Sequence, residues 1–423
     1  MQPLMCSVAE SEIEGKAVWK RAGSNIKYYR NNFFIKTQRK ALFSATFTIQ
    51  FPCSNDTCYI AYHYPYSYSR LLVDISKWQQ QADKRPDVFF SVQTLTKTLL
   101  GNSVPILTVT SASSDNQDRQ YAVLSARVHP GESNSSWVMK GLINRLLDSS
   151  TESELLRQKF IFKIVPMINP DGVIVGNHRT SLSAKDLNRQ WINPDENAHP
   201  EIHSFKNIFY VLQKVGITPY IFIDFHGHSC QKDLFLYGCL PSKSWMAPYD
   251  YDNPSAYSSK SNFPSAGSLD NLWKPSTHEG LMADFSNIFK SDTAHKDVWE
   301  NRICLQLSQI LSASLPAFSE AACSYAVQKT KESTARVVVW RQFGVLRSYT
   351  MESSYCGVLK NCYDDLSDEG HQISTKLLET AGARVLDAFL VLLQRRGEKN
   401  DYSSFDSSQR EENYESDRDS MLS

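Results

Sequence analysis

The run Tyr121–Val128, YAVLSARV, breaks off abruptly in His129-Pro130-Gly131-Glu132, and no other stretch limits the possible folds as strongly. Its apolar and β-capable residues predict a buried strand. Pro130 and Gly131 then allow a tight turn, so that His129 and Glu132 can face one point in space. An imidazole nitrogen and a carboxylate oxygen at this spacing are half of a two-histidine, one-glutamate zinc site, which still needs a second histidine and an open position for water. His-x-x-Glu alone is common on protein surfaces, so the remaining chain has to supply the partner.

A second apolar run supplies it. YIFIDFHGHS carries His226 directly after the strand-like residues and His228 two further on. Strands that both end in ligand-type side chains place them along the carboxyl edge of an α/β sheet, where such folds put their sites. His226 is the expected third ligand and His228 a residue of the rim. Asp224 alternates with His226 and can share its face, either orienting an imidazole or acting as a buried structural aspartate.

Two more runs end in chemistry. FIFKIVPMINPDG leads through Asn169-Pro170-Asp171-Gly172, a strong turn signal, into GNHRTS and AKDLNRQW. Arg179, Asn188 and Arg189 in that stretch suit a substrate carboxylate and an oxyanion forming at the metal, because an arginine grips carboxylates bidentately. GVLRSYTMESSY places Leu346, Ser348, Thr350 and Glu352 on one strand face, with Arg347 and Tyr349 on the other. Beside a metal site, Glu352 can take a proton from water and pass it to a leaving amine. Upstream of it, Lys329, Lys331, Arg336, Arg341 and Arg347 stand against Glu332 alone. A solvated face explains such a run, and so does a wall selecting an acidic side chain, with Arg336 as the candidate specificity residue.

Composition bounds these readings. A chain of 423 residues with 41% hydrophobic and 12% aromatic content can build a large catalytic domain plus additions. The formal net charge of zero gives no global support to nucleic-acid or membrane-surface binding. Nine scattered cysteines without CxxC pairs are expected to be free thiols, although Cys53 and Cys58 are close in sequence. The start, MQPLMCSVAESEIEGK, lacks the pattern of a signal peptide, and no apolar run reaches the roughly 20 residues of a bilayer span. The expectation is a soluble, cytoplasmic protein.

Along the chain, residues 1–17 read as a loose N-terminus and 18–69 as antiparallel strands, among them KYYRNN, FSATFTIQF and the tyrosine-rich IAYHYPYSYS. Residues 70–395 alternate strands with helices, an α/β domain. Its expected strands are 105–110, 121–128, 160–168, 220–225 and 344–351, and its expected helices are 137–147, 202–215, 296–314 and 373–394. Asn134 or Ser135 is the expected cap of the first helix. A Ser-, Pro- and Tyr-rich excursion spans 238–280, and residues 396–423 read as a disordered acidic tail.

In this order, HPGES, NPDGVIVGNHRTSL, DLNRQW, DFHGHS and YTMESSYCG resemble the cytosolic carboxypeptidase subfamily of the zinc metallocarboxypeptidases, over residues 18–395. The tyrosine-rich FPCSNDTCYIAYHYPYSYS is similar to the end of the β domain that precedes catalysis there. The resemblance implies a mixed sheet flanked by helices, preceded by a short, incomplete antiparallel β domain. It implies one zinc ion on His129, Glu132 and His226, Glu352 as general base, and Arg179 polarising the scissile carbonyl. Asn188 and Arg189 would grip the terminal carboxylate. The implied activity is removal of glutamates from acidic C-terminal tails, chiefly of tubulin, with a cytoplasmic location at microtubules or cilia.

Two departures stand out. The first half of the subfamily's β domain has no counterpart before Ser69. The substrate-binding tyrosine of carboxypeptidase A-like enzymes also has none in KTKESTAR, the nearest upstream tyrosine being Tyr325. Two other readings remain: a zinc deacylase of small N-acyl amino acids, and a chain that binds acidic tails without cutting them.

Overall fold

The computed structural model describes residues 2–35, 40–113, 119–245, 293–359 and 371–397. Most of the 238–280 excursion and the tail from residue 398 lie outside these. The N-terminal strands are β1 (Leu4–Ser7), β2 (Lys20–Arg21), β3 (Ser24–Ile35), β4 (Lys40–Thr48) and β5 (Cys58–Ala61). β1 pairs antiparallel with both β2 and β5, while β3 and β4 form a separate two-stranded ribbon. Residues expected to be loose are therefore built into a sheet. Leu4 and Cys6 are buried, and helix α1 (Val8–Ile13) follows with Ser7 accepting from the Glu10 amide as its cap. After β5 the tyrosine-rich stretch leaves strand geometry and enters helix α2 (Tyr68–Ala82), capped by Ser67. Alternating tyrosines suggested a strand there, but the apolar spacing from Leu71 to Ile75 and Trp78 is helical, and these three residues are buried.

The main sheet comprises β6 (Val88–Lys97), β7 (Ser103–Ser111), β8 (Gln120–Ala126), β9 (Phe160–Val165), β10 (Ile221–His228), β11 (Leu234–Tyr237) and β12 (Ser348–Ser354). Its order is β11-β12-β10-β8-β9-β7-β6. The four central strands run parallel, and β11, β7 and β6 add antiparallel edges. The last strand begins four residues later than the expected 344, because Gly344 closes the preceding helix in left-handed geometry.

Helices α3 (Ser133–Leu146), α4 (Thr151–Lys159), α5 (Pro170–Val175), α6 (Pro200–Lys214), α7 (Thr293–Ser314), α8 (Ala335–Phe343) and α9 (Thr375–Gly397) cover the sheet. One face packs Leu124, Ile223, Phe225 and Met351 against α2, α3, α7 and α9. The other packs Val123 and Phe222 against Phe205 and Phe209 of α6 and Val338 and Val339 of α8. Because β10 lies between β8 and β12, the ends of these three strands meet at one point on the carboxyl edge. None of the described helices is long and apolar enough to cross a membrane.

Candidate metal and catalytic site

Strand β8 leaves the sheet through Arg127, whose φ of 61° is unusual for a residue with a Cβ. The side chain accounts for this conformation. Its buried guanidinium donates from Nε to the Pro130 carbonyl at 2.8 Å, and from Nη1 to the Tyr66 carbonyl and Ser136 Oγ, each at 2.9 Å. Burial draws its pKa down to about 10, so it stays charged at neutral pH. The turn is closed by the Gly131 amide donating to the His178 carbonyl at 2.8 Å. A Cβ on Gly131 would stand 2.6 Å from that oxygen, so only glycine fits.

Glu132 is the N-cap residue of α3, but its carboxylate caps nothing. It is thereby free to turn toward the histidines. The expected caps Asn134 and Ser135 lie inside the helix, which begins four residues earlier than the apolar periodicity from Trp137 suggested. Asn134 instead donates to the Ser354 carbonyl at 2.8 Å.

Three donor atoms converge. His129 Nδ1 is 2.8 Å from Glu132 Oε1, His226 Nδ1 is 2.9 Å from Glu132 Oε2, and the two Nδ1 atoms are 3.2 Å apart. These ligand atoms all lie within 4.8 Å of one another. Each imidazole is backed by a carboxylate on its other nitrogen: Asp186 Oδ1 at 3.0 Å from His129 Nε2, and Asp224 Oδ2 at 2.7 Å from His226 Nε2. Asp224 in turn accepts from Ser125 Oγ at 2.8 Å, and the Gly227 amide donates to Glu132 Oε2 at 3.0 Å. Two imidazoles and one carboxylate, with an acidic partner behind each ring, are the donor chemistry of a zinc site with an open position. Burial pushes the Glu132 carboxyl upward, but the two histidines outweigh it and hold the group well below the usual carboxylate range.

Glu352 stands beside His226 because β10 and β12 run in parallel with these two residues in register. Its carboxylate is almost fully buried, and Oε2 has no hydrogen-bond partner among the described residues. Burial raises its pKa to about 7, with Glu132 and Asp224 adding to the rise and His226 and His129 opposing it. A buried carboxylate with a free lone pair beside a metal-binding cluster can accept a proton from water.

The cluster forms one end of a cavity of about 400 Å³ that Arg179, Asn188, Arg189, Arg336 and Glu352 also line. Arg179 is paired with Asp186 (2.7 Å) and lies 3.8 Å from Glu132 Oε1. Arg189 donates to the Asn188 carbonyl at 3.0 Å and is 3.9 Å from Asp186. The Asn188 side-chain oxygen accepts from the Ala335 amide at 2.9 Å, which fixes the side chain at the start of α8.

Arg336 is buried, donates to the Gly238 carbonyl and lies over the Tyr237 ring at 5.9 Å. Of the basic segment around it, Lys331 also reaches the cavity. Arg341 turns to Glu332 and Ser244, and Arg347 stacks on Tyr220 at 4.2 Å. His228 keeps to the rim, where its Nδ1 accepts from the Gln231 amide at 2.9 Å.

Asp186, Tyr237 and Tyr355 are among the lining or supporting residues not singled out from the sequence. Asp186 binds His129, Arg179 and Arg189 at once, and its position at the head of DLNRQW was the available signal. Tyr237 and Tyr355 line the cavity. Tyr325 does not: its hydroxyl is buried and donates to Ser308 Oγ at 2.6 Å. All eight described cysteines are free thiols, including Cys53 and Cys58.

The family model for zinc carboxypeptidases matches residues 75–357. The chain is 41% identical over 406 residues to cytosolic carboxypeptidase 1 of Danio rerio, covering 93% of this chain and 31% of that protein. It is 39% identical over 424 residues to human cytosolic carboxypeptidase 4, covering 93% and 34% respectively. The chain thus spans about a third of the length of these relatives. Among solved structures, a metallo-carboxypeptidase from Burkholderia cenocepacia has the same fold, with a TM-score of 0.61 at 22% identity, covering 93% of this chain and 81% of that one.

Proposed function

This chain belongs to the zinc carboxypeptidase family, and from that premise we propose that it hydrolyses the last peptide bond of acidic polypeptide tails, releasing glutamate. His129, Glu132 and His226 would hold the zinc ion. Bound there, zinc supplies a Lewis acid that polarises the scissile carbonyl and acidifies a water molecule. Glu352 accepts the proton of the attacking water on Oε2 and delivers it to the departing amine. Arg189 and the Asn188 amide nitrogen receive the substrate's terminal carboxylate. Arg179 turns toward the developing negative charge, for which it must loosen its pairing with Asp186.

The observation carrying this reading is the convergence of three ligand atoms within 4.8 Å beside a Glu352 carboxylate in register with His226. Preference for acidic residues rests on Arg336 and Lys331 in the cavity wall. Tubulin, whose C-terminal tails are glutamate-rich, is the proposed substrate. A place at microtubules follows from that choice, and a cytosolic one agrees with the names of the curated relatives.

The test is glutamate release from polyglutamate-tailed peptides. Release should stop with a zinc chelator and return with zinc, and Glu352→Gln should lower kcat at least ~1000-fold while keeping the metal. Chelator-insensitive release, or near-full activity in Glu352→Gln, refutes the mechanism. Faster turnover of an N-acyl-aspartate than of any peptide would move the assignment to a deacylase.

A further inference from the structure

The segment between β5 and α2 lies against the metal-binding turn. His63 Nδ1 is 2.6 Å from Ser133 Oγ, and the same hydroxyl is 2.5 Å from the Tyr64 carbonyl. Ser133 is the residue directly after Glu132. The Tyr64 carbonyl further accepts from Trp137 Nε1 of α3 at 3.2 Å. The Tyr66 carbonyl accepts from Arg127, whose Nε holds Pro130. One short segment thus bonds directly to the residue after the carboxylate and, through Arg127, reaches the Pro130 carbonyl before it. The His63 ring lies 4.5 Å from the Tyr355 ring, tilted by 32°, and Tyr62 meets both rings edge-on at 5.4 and 5.6 Å. Tyr355 packs on the Gly227 backbone, whose amide donates to Glu132 Oε2.

We propose that residues 62–66 form a strap that sets the position of the Glu132 carboxylate, with His63 as its positioning residue. Glu132 is the ligand that needs one. His129 and His226 are each oriented by a carboxylate on the far nitrogen, whereas the Glu132 carboxylate caps nothing, is backed on Oε2 by the Gly227 amide, and otherwise depends on how the turn holds its backbone. A side chain that merely filled space would not require a polar bond to the residue next to the ligand. The proposal rests on the zinc-site reading.

Zinc affinity, measured by chelator competition on the purified chain, tests it. His63→Phe keeps a ring against Tyr355 but loses the bond to Ser133, and should weaken zinc binding by about 10-fold or more, in the range seen when groups behind metal ligands are removed. Ser133→Ala reads the same bond from the other side and remains informative if His63→Phe does not fold. The double variant should bind little worse than the weaker single one, because both act through one contact. His63→Asn, with an amide near the place of Nδ1, should recover most of the affinity. The melting temperature of the zinc-free protein should stay essentially unchanged in Ser133→Ala.

Zinc affinity within about twofold of wild type in both single variants overturns the strap. So do additive losses accompanied by equal falls in zinc-free stability, which mark general packing. A wild-type chain that binds no zinc overturns the site reading together with the strap. A wild-type chain that binds it, with variants that bind it equally, overturns the strap alone.

Discussion

At the scale of single residues, the two histidines differ in what stands behind them. Asp224 is buried, 2.7 Å from His226 Nε2 and anchored by Ser125. Asp186 is partly open and divides its charge among His129, Arg179 and Arg189. A carboxylate that serves one partner in a dry setting should orient that partner more firmly than one that serves three. Asp224→Asn should therefore weaken zinc binding by roughly 10- to 100-fold. Asp186→Asn should weaken it less but raise KM more, since it releases both arginines beside the expected carboxylate grip. Zinc titration and steady-state kinetics on the two variants check the order, and the reverse order would refute the argument. Asp186 shows where residue-level legibility stops. His129 and Glu132 are three apart and announce themselves, whereas the contact of Asp186 with His129 crosses 57 positions, and a loop aspartate carries no periodic signal.

At the scale of elements, the buried strands were the readable part. β8, β9 and β10 are continuous apolar runs because both faces are covered. β6 was missed because it is an edge strand with Phe89 and Val92 exposed, which breaks the alternation. β11, Leu234–Tyr237, lies just before the 238–280 excursion, and its four residues are too few to carry a periodic signal.

Helix α6 was expected from its apolar face, but not the burial of Glu201 in its first turn. That burial raises the Glu201 pKa from 4.5 to about 7, with Asp171 adding to the effect. The folded state thus holds this proton more tightly than the unfolded one. Its contribution to stability is fully present below about pH 4.5 and is lost as pH rises to about 7. The difference is on the order of 3 kcal/mol, less any relief from water penetration. Glu201→Gln, neutral throughout, should remove this part of the slope, so urea midpoints of wild type and variant should diverge between pH 5 and pH 7.5. Parallel slopes in the two proteins would show that the carboxyl titrates normally.

At the scale of the whole molecule, the site is a consequence of strand order. β10 sits between β8 and β12, so loops more than 90 residues apart in sequence end side by side. A zinc ion on His129, Glu132 and His226 would cross-link the loop after β8 to the end of β10, and it would do so only in the folded state. Linkage then makes the metal a stabiliser: at a thousand-fold excess over Kd it adds about 4 kcal/mol. In a domain of this size that corresponds to a shift of roughly 5–10 °C in Tm. Chelation should lower Tm by that amount and zinc should restore it. Magnesium should not, since it prefers six oxygen ligands to imidazole nitrogen. His226→Ala should melt near the chelated wild type and respond to neither zinc nor chelator. If that variant still gains stability from zinc, the ion binds elsewhere, and the meeting of the three strand ends has some other purpose.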